Sequence, residues 1–115
     1  MNISQQQLTV GIWEVEVHGR LDQTQTPDLN TTLTELINAQ QYRLLVNLTE
    51  TNYINSGGLR CLVSAWRKAR AHEGDVILYG LNERLCEIFT MIGFDKVFEI
   101  YQTQEEALSA MPPFN

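Results

Sequence analysis

The sequence predicts a single α/β domain built on a mixed β-sheet, mostly parallel with an antiparallel N-terminal edge, and carrying about four helices. Three observations lead there. From Leu44 onward, short apolar runs alternate with amphipathic helical patterns, which implies parallel strands joined by right-handed crossovers. The N-terminal stretch is instead β-branched and alternating, which suits a hairpin at one sheet edge. At 115 residues the chain is long enough for one core of useful size, with no linker and no internal repeat, so the domain is expected to span 1–115.

The elements follow in order. Leu8 to His18 alternates apolar and polar residues from Ile12 or Trp13 onward, and Gly11 marks a turn or bulge between two paired segments. Gly19-Arg20-Leu21-Asp22 then leaves the strand. Pro27 suits the first turn of a helix with Thr26 as its cap, and Leu29, Leu33, Leu36 and Ile37 carry that helix to about Ala39. Leu44-Leu45-Val46-Asn47-Leu48 is a short buried strand bounded by the polar turn material Thr49-Glu50-Thr51-Asn52. A helix from about Ser56 to His72 places Leu59, Leu62, Val63, Trp66 and Ala69 on one face, with Ser56 at its N-cap. Gly74 ends it, and Val76-Ile77-Leu78-Tyr79 forms the next strand. Asn82 caps a helix bearing Leu85, Ile88, Phe89 and Ile92, and Gly93 stops it. Val97 to Tyr101 reads as the last strand. Thr103 with Glu106 three residues later is a capping-box pattern for a short helix to about Met111, which Pro112-Pro113 terminates.

Bulk composition narrows the function classes. Hydrophobic content of 43% and charged content of 19% are those of an ordinary globular chain. No apolar segment approaches the roughly 20 residues that span a bilayer, and Met1-Asn2-Ile3-Ser4-Gln5-Gln6-Gln7 lacks the features of a secretory signal. The expected compartment is the cytoplasm. A net charge of −6 argues against nucleic acid as a direct partner, because phosphate backbones demand a basic surface. The bases Arg60, Arg67, Lys68 and Arg70 nevertheless gather on the helix after Ser56. That face reads either as a solvated surface or as a contact for an acidic partner or phosphate. Cys61 and Cys86 lack ligand spacing and read as buried free thiols, and His18 and His72 complete no metal set.

The stretch Asn55-Ser56-Gly57-Gly58-Leu59 is where chemistry is most plausible. It lies between an apolar strand and a helix, where free N–H groups and the positive end of the helix dipole can favour a phosphate on a ligand or on the serine itself. No enzyme motif accompanies it. The Gly57-Gly58 pair lacks the Lys-Ser/Thr and the earlier glycine of a phosphate-binding loop, and no nucleophile elbow surrounds Ser56. Asp22, Asp28, Glu50 and Asp75 are scattered, as caps and surface charges usually are. Asp22 differs in lying on a loop after a strand, and loops at one end of an α/β sheet share a rim. No catalytic residue, cofactor or metal is expected.

Taken in order, Gly19-Arg20-Leu21-Asp22, Pro27-Asp28-Leu29, Leu44 to Leu48 and Tyr53 to Leu59 resemble the STAS domain of bacterial anti-sigma factor antagonists. The run Met91 to Tyr101 matches that family's ending in kind, so the resemblance covers residues 10–111. It implies a partner-switching regulator. Such a domain binds an anti-sigma factor that is also a serine kinase and so releases the sigma factor. The kinase brings the ATP, phosphorylation of the strand-to-helix loop breaks the complex, and a cognate phosphatase restores it. The implied interface comprises Asp22, Asn55, Gly57, Gly58, Leu59 and Arg60.

The sequence departs from the family pattern at three positions. The family phosphorylates the residue just before Gly-Leu, which here is Gly57 and has no hydroxyl. The loop aspartate is replaced by Asn55 and the aspartate near the end of the preceding strand by Asn47, whereas Asp22 matches the acidic position after Gly-x-Leu. Ser56 is therefore the remaining hydroxyl of the motif and the phosphorylation candidate, as well as the expected N-cap. Thr49 and Thr51 are fallback acceptors. Two other functions stay open: an unphosphorylated STAS scaffold or partner-binding subunit, such as a constitutive antagonist or a component of a lipid-transport assembly, and an enzyme or nucleotide-binding domain using the Gly57-Gly58 turn, which the absence of a phosphate-loop lysine disfavours.

Overall fold

The computed structural model describes residues 2–113, with strands β1 (Ile3–Thr9), β2 (Ile12–Leu21), β3 (Arg43–Ile54), β4 (Asp75–Tyr79) and β5 (Ile100–Tyr101). Helices α1 (Thr26–Asn38), α2 (Ser56–Ala71), α3 (Glu83–Met91) and α4 (Gln104–Ala110) join them, and a 3₁₀ turn spans Phe94–Lys96. The expected domain limits of 1–115 include Met1, Phe114 and Asn115, which lie outside the described residues. The strands are ordered β1-β2-β3-β4-β5, with β1 antiparallel to β2 and every other neighbour parallel. This is the mixed sheet that the sequence predicts.

Both faces of the central strands are covered, which is why β3 and β4 read as continuous apolar runs. Leu44, Val46, Leu48, Val76 and Leu78 meet Leu29, Leu33, Leu62, Ala69 and Phe89 in the larger core on the α1–α3 side. Leu45, Ile77 and Tyr79 pack with Ala107 and Met111 on the other face. That second layer is anchored by a buried polar cluster. Glu14, 4% exposed, accepts hydrogen bonds from the Tyr79 hydroxyl at 2.5 Å and from Gln104 Nε2 at 3.0 Å, tying α4 to the sheet.

Several boundaries differ from expectation. Thr49 to Asn52 is not a turn, because β3 continues to Ile54 alongside β2, which likewise does not end at Gly19 but runs on to Leu21. The register shifts between Glu16 and His18 and between Gly19 and Arg20, and Gly19 has φ +80°, so a bulge at glycine keeps the strands paired. Backbone ladder bonds need no apolar side chain, and Thr51 is buried there with its hydroxyl donating to Val17 O at 2.9 Å.

The last strand shrinks to Ile100–Tyr101. Phe98 is drawn instead into an aromatic cluster with Trp66, Phe89 and Phe94, and its N–H donates to Phe94 O at 2.9 Å. Thr26 is the first helical residue of α1 rather than its cap; Gln25 occupies that place without a side-chain bond. Asn82 and the Thr103–Glu106 capping box cap α3 and α4 as expected. The cysteines are free, but Cys61 is half-buried and Cys86 exposed, because each sits at the edge of its helix's apolar stripe.

Helices α1 and α2 end on left-handed non-glycine residues, Gln40 and Glu73, both at φ 64°. Gly74 follows Glu73 for a steric reason, since a Cβ there would stand 1.9 Å from Tyr42 O. Glycine belongs at the left-handed position, and Gln40→Gly and Glu73→Gly should each stabilise the fold by about 0.5–1 kcal/mol. Thermal unfolding reads this as a rise of roughly 2–5 °C, and a fall in Tm for both variants contradicts the strain argument.

Burial, then the Glu14 carboxylate, push the Tyr79 phenol well above the ordinary tyrosine range. A raised pKa contributes stability that is complete below the unfolded value near 10 and is lost as pH rises through the folded value. Tyr79→Phe should therefore cost about 1–3 kcal/mol at neutral pH by stripping Glu14 of a donor. It should also flatten the alkaline fall in stability, as urea titrations at stepped pH would show.

Candidate functional site

The site is built where β2 and β3 end side by side. Beyond the last paired residues, Leu21 and Ile54, the two chains stay joined, because Asn55 N–H donates to Leu21 O at 3.0 Å. Asn55 has extended backbone (φ −90°, ψ 175°), and its Oδ1 accepts the Gly58 N–H at 2.8 Å, so Asn55 caps α2. This corrects the expectation for Ser56, which is the first residue inside the helix and is exposed. The cap therefore makes no demand on the Ser56 hydroxyl.

The rim predicted from loop logic exists. The Thr26 hydroxyl lies 2.9 Å from Asp22 O and 3.1 Å from Asn55 Oδ1, linking the loop before α1 to the cap of α2. Asp22 thus shares the rim with Asn55 and Ser56. Its carboxylate is engaged locally, accepting the Thr24 hydroxyl at 2.7 Å and the Thr24 N–H at 3.0 Å, which hold its pKa below the usual aspartate value. Arg20 stacks its guanidinium 4.2 Å from the centre of the Tyr53 ring, one residue short of the strand ends.

The two glycines answer to different constraints. A Cβ at Gly58 would meet Leu21 Cδ2 at 2.7 Å and Ile54 Cγ2 at 3.1 Å, so close helix–strand packing requires glycine. At Gly57 a Cβ would meet only the Thr26 methyl tightly, at 3.2 Å. A side chain at position 57 would have to displace Thr26 by a few tenths of an ångström.

Ser56 opens onto a groove of about 630 Å³ between α2 and the α3 end, shared with Leu59, Arg60, Val63, Arg67, Ile92 and Phe94. The groove has an apolar floor and two arginines, about one turn and three turns beyond Ser56 along α2. Ile92, 45% exposed, lies on its α3 side, and the preceding residue, Met91, is 80% exposed. The basic helix divides here: Arg70 lies 3.6 Å from the buried Asp75, and Lys68 faces α1 instead. Ile92 and Phe94 were not recognisable as site residues, because their apolar spacing reads as core. Asn47 lies away from this rim: its Nδ2 donates to Glu16 Oε2 at 3.2 Å, and its Oδ1 accepts the Thr49 N–H and hydroxyl.

Of the fallback acceptors, Thr51 is 2% exposed and its hydroxyl is bonded, which removes it as an accessible residue. Thr49 is exposed on β3. Among the described residues no group of three His, Cys, Asp or Glu is placed to hold a metal, and no helix is long and apolar enough to cross a membrane.

A family model described as the STAS domain matches residues 5–107. The chain is similar to the anti-sigma-B factor antagonist of Listeria monocytogenes, 28% identical over 93 residues that cover 81% of this chain and 82% of the relative. Its fold matches the Bacillus cell fate determinant SpoIIAA in the phosphorylated form, with a TM-score of 0.76, 18% identity, and coverage of 93% of this chain and 96% of that one. It also matches an anti-sigma-factor antagonist (STAS) domain protein from Planctomyces limnophilus, with a TM-score of 0.82, 19% identity, and coverage of 96% and 97%.

The capping assignment separates neighbouring residues. Asn55→Ala should cost about 1–2 kcal/mol, since it removes the helix cap and the Thr26 acceptor together. Ser56→Ala should stay within about 0.5 kcal/mol of wild type, as an exposed residue without a structural bond. Urea unfolding midpoints test the pair, and equal losses at both positions contradict the assignment.

Proposed function

The chain belongs to the STAS domain family, and we propose that it is an anti-sigma factor antagonist, a regulatory binding protein rather than an enzyme. In this reading the groove beside Ser56 receives the anti-sigma factor, which is itself a serine kinase, and the sigma factor is released. The partner supplies ATP. Phosphorylation of Ser56 ends the complex, and a cognate phosphatase resets it. The observation that carries the reading is the position of Ser56: exposed, free of the capping bond, and at the mouth of a groove lined by Arg60 and Arg67.

Electrostatics supply the switch. Arg60 and Arg67 favour an acidic contact surface on the partner. A phosphate on Ser56 adds roughly −1.5 to −2 charge at pH 7, offsetting those arginines and repelling that acidic surface without refolding the domain. Asp22, Asn55, Gly57, Gly58 and Leu59 act by shaping the loop that presents Ser56. A second reading, a constitutive STAS binding subunit, is favoured by Gly57, which lacks a hydroxyl at the family's usual acceptor position.

The test uses the kinase co-purified from the source cell. Incubation with ATP should place phosphate on Ser56 and dissociate the complex. Ser56→Ala should bind normally and resist dissociation by ATP, and Ser56→Asp should bind roughly tenfold to a hundredfold more weakly, equivalent to about 1.4–2.7 kcal/mol. Stable association that ATP leaves unchanged, with no phosphate on the wild-type chain, would instead establish the constitutive reading.

A further inference from the structure

The two edges of the sheet are protected very differently. β5 is two residues long and leads directly into α4, so it offers little backbone for pairing. β1 is seven residues long, is paired on one side, and has no proline or charged residue in Ile3-Ser4-Gln5-Gln6-Gln7-Leu8-Thr9. Its register shift lies between Gln7 and Thr9, leaving Ile3 to Gln7 regular. None of the usual devices that blunt an edge strand is present along that run.

The hydrogen-bond parity shows which groups face outward. His18 N–H donates to Asn2 O at 2.7 Å, and Ile3 pairs with Val17, Ser4 with Glu16, and Gln6 with Glu14. Antiparallel pairing alternates, so Asn2, Ser4 and Gln6 bond inward to β2, and Ile3, Gln5 and Gln7 direct N–H and C=O away from it. Alongside runs a groove of about 440 Å³ between β1 and α1, lined by Ile3, Gln5, Thr31 and Thr32 with Asp28 and Glu35. Its charged lining residues are both acidic.

We propose that the β1 edge and this groove form a strand-addition site for an extended segment of another protein carrying Lys or Arg at alternate positions. Its backbone continues the sheet at Ile3, Gln5 and Gln7, and one face of its side chains enters the groove beside Asp28 and Glu35. Alternation suits the geometry, since every second side chain of an added strand faces α1. Charge decides the occupant. A second copy of this chain would bring a neutral β1 and no cation for either carboxylate, and two chains of net charge −6 repel. The site shares no lining residue with the Ser56 groove, so both can be occupied at once.

The probe is the peptide acetyl-Thr-Lys-Val-Lys-Val-Lys-Thr-amide, titrated into the full chain and followed by amide NMR shifts and hydrogen exchange. Saturable shifts and slowed exchange are expected at Ile3, Gln5 and Gln7. Backbone N-methylation of the peptide should abolish them. Asp28→Asn combined with Glu35→Gln should weaken binding roughly tenfold, as for two partly screened pairs. Gln5→Pro should also abolish binding without unfolding the chain, because that N–H serves no internal ladder bond. The proposal is overturned if shifts scatter over the acidic surface, or if the N-methylated peptide binds equally well. It is equally overturned if the same amides become protected with rising protein concentration alone, which would identify a second copy as the occupant.

Discussion

The pairing of β2 with β3 is the constraint on which the rest depends. It carries the parallel ladder from Trp13 and Leu44 out to Leu21 and Ile54, across two register shifts, and ends in the Asn55–Leu21 bond. Because both strands are this long, their ends deliver the Asp22 loop and the start of α2 to one place. Were β3 to stop at Leu48, the chain could not bring Asn55 beside Leu21. Gly58 makes the same demand from the helix side, since only a missing Cβ lets α2 start so close to Leu21 and Ile54.

Within that frame the labour is divided among adjacent residues. Asn55 performs the capping that a hydroxyl or an aspartate could also perform. As a neutral amide it places no negative charge beside Ser56. Ser56 is consequently released from structural duty, and Gly57 leaves the Thr26 methyl undisturbed in the bonding arrangement that connects both loops. The loop is thus rigid at its base and open at one hydroxyl. That is the geometry a modification site needs if adding charge is to alter a surface and leave the fold intact.

The molecule also presents two unlike surfaces. The groove beside Ser56 is apolar and arginine-lined, whereas the groove beside β1 borders an unblunted strand edge and carries carboxylates. Within a chain of net charge −6, the first groove sets Arg60 and Arg67 beside Ser56 and the second sets Asp28 and Glu35 beside β1. Selectivity between partners follows from sign as much as from shape.

Much of this was legible in the residues. The alternation of apolar runs with amphipathic stretches determined the mixed sheet. Asn82 and the Thr103–Glu106 pair declared their helix starts, because capping is a local hydrogen bond between residues two or three apart. The order of short motifs from Gly19 to Leu59 pointed to the family. Tertiary structure decided what depends on a distant neighbour. Thr49 to Asn52 became strand because β2 offered ladder partners, and Phe98 left its strand because Trp66, Phe89 and Phe94 accepted its ring. Ser56 lost the cap to Asn55 because the Asn55 N–H is held by Leu21, thirty-four positions earlier in the chain, which turns its amide toward Gly58. Local chemistry is written in adjacent residues, but the choice between two adjacent polar side chains was made by a strand that no local pattern reveals.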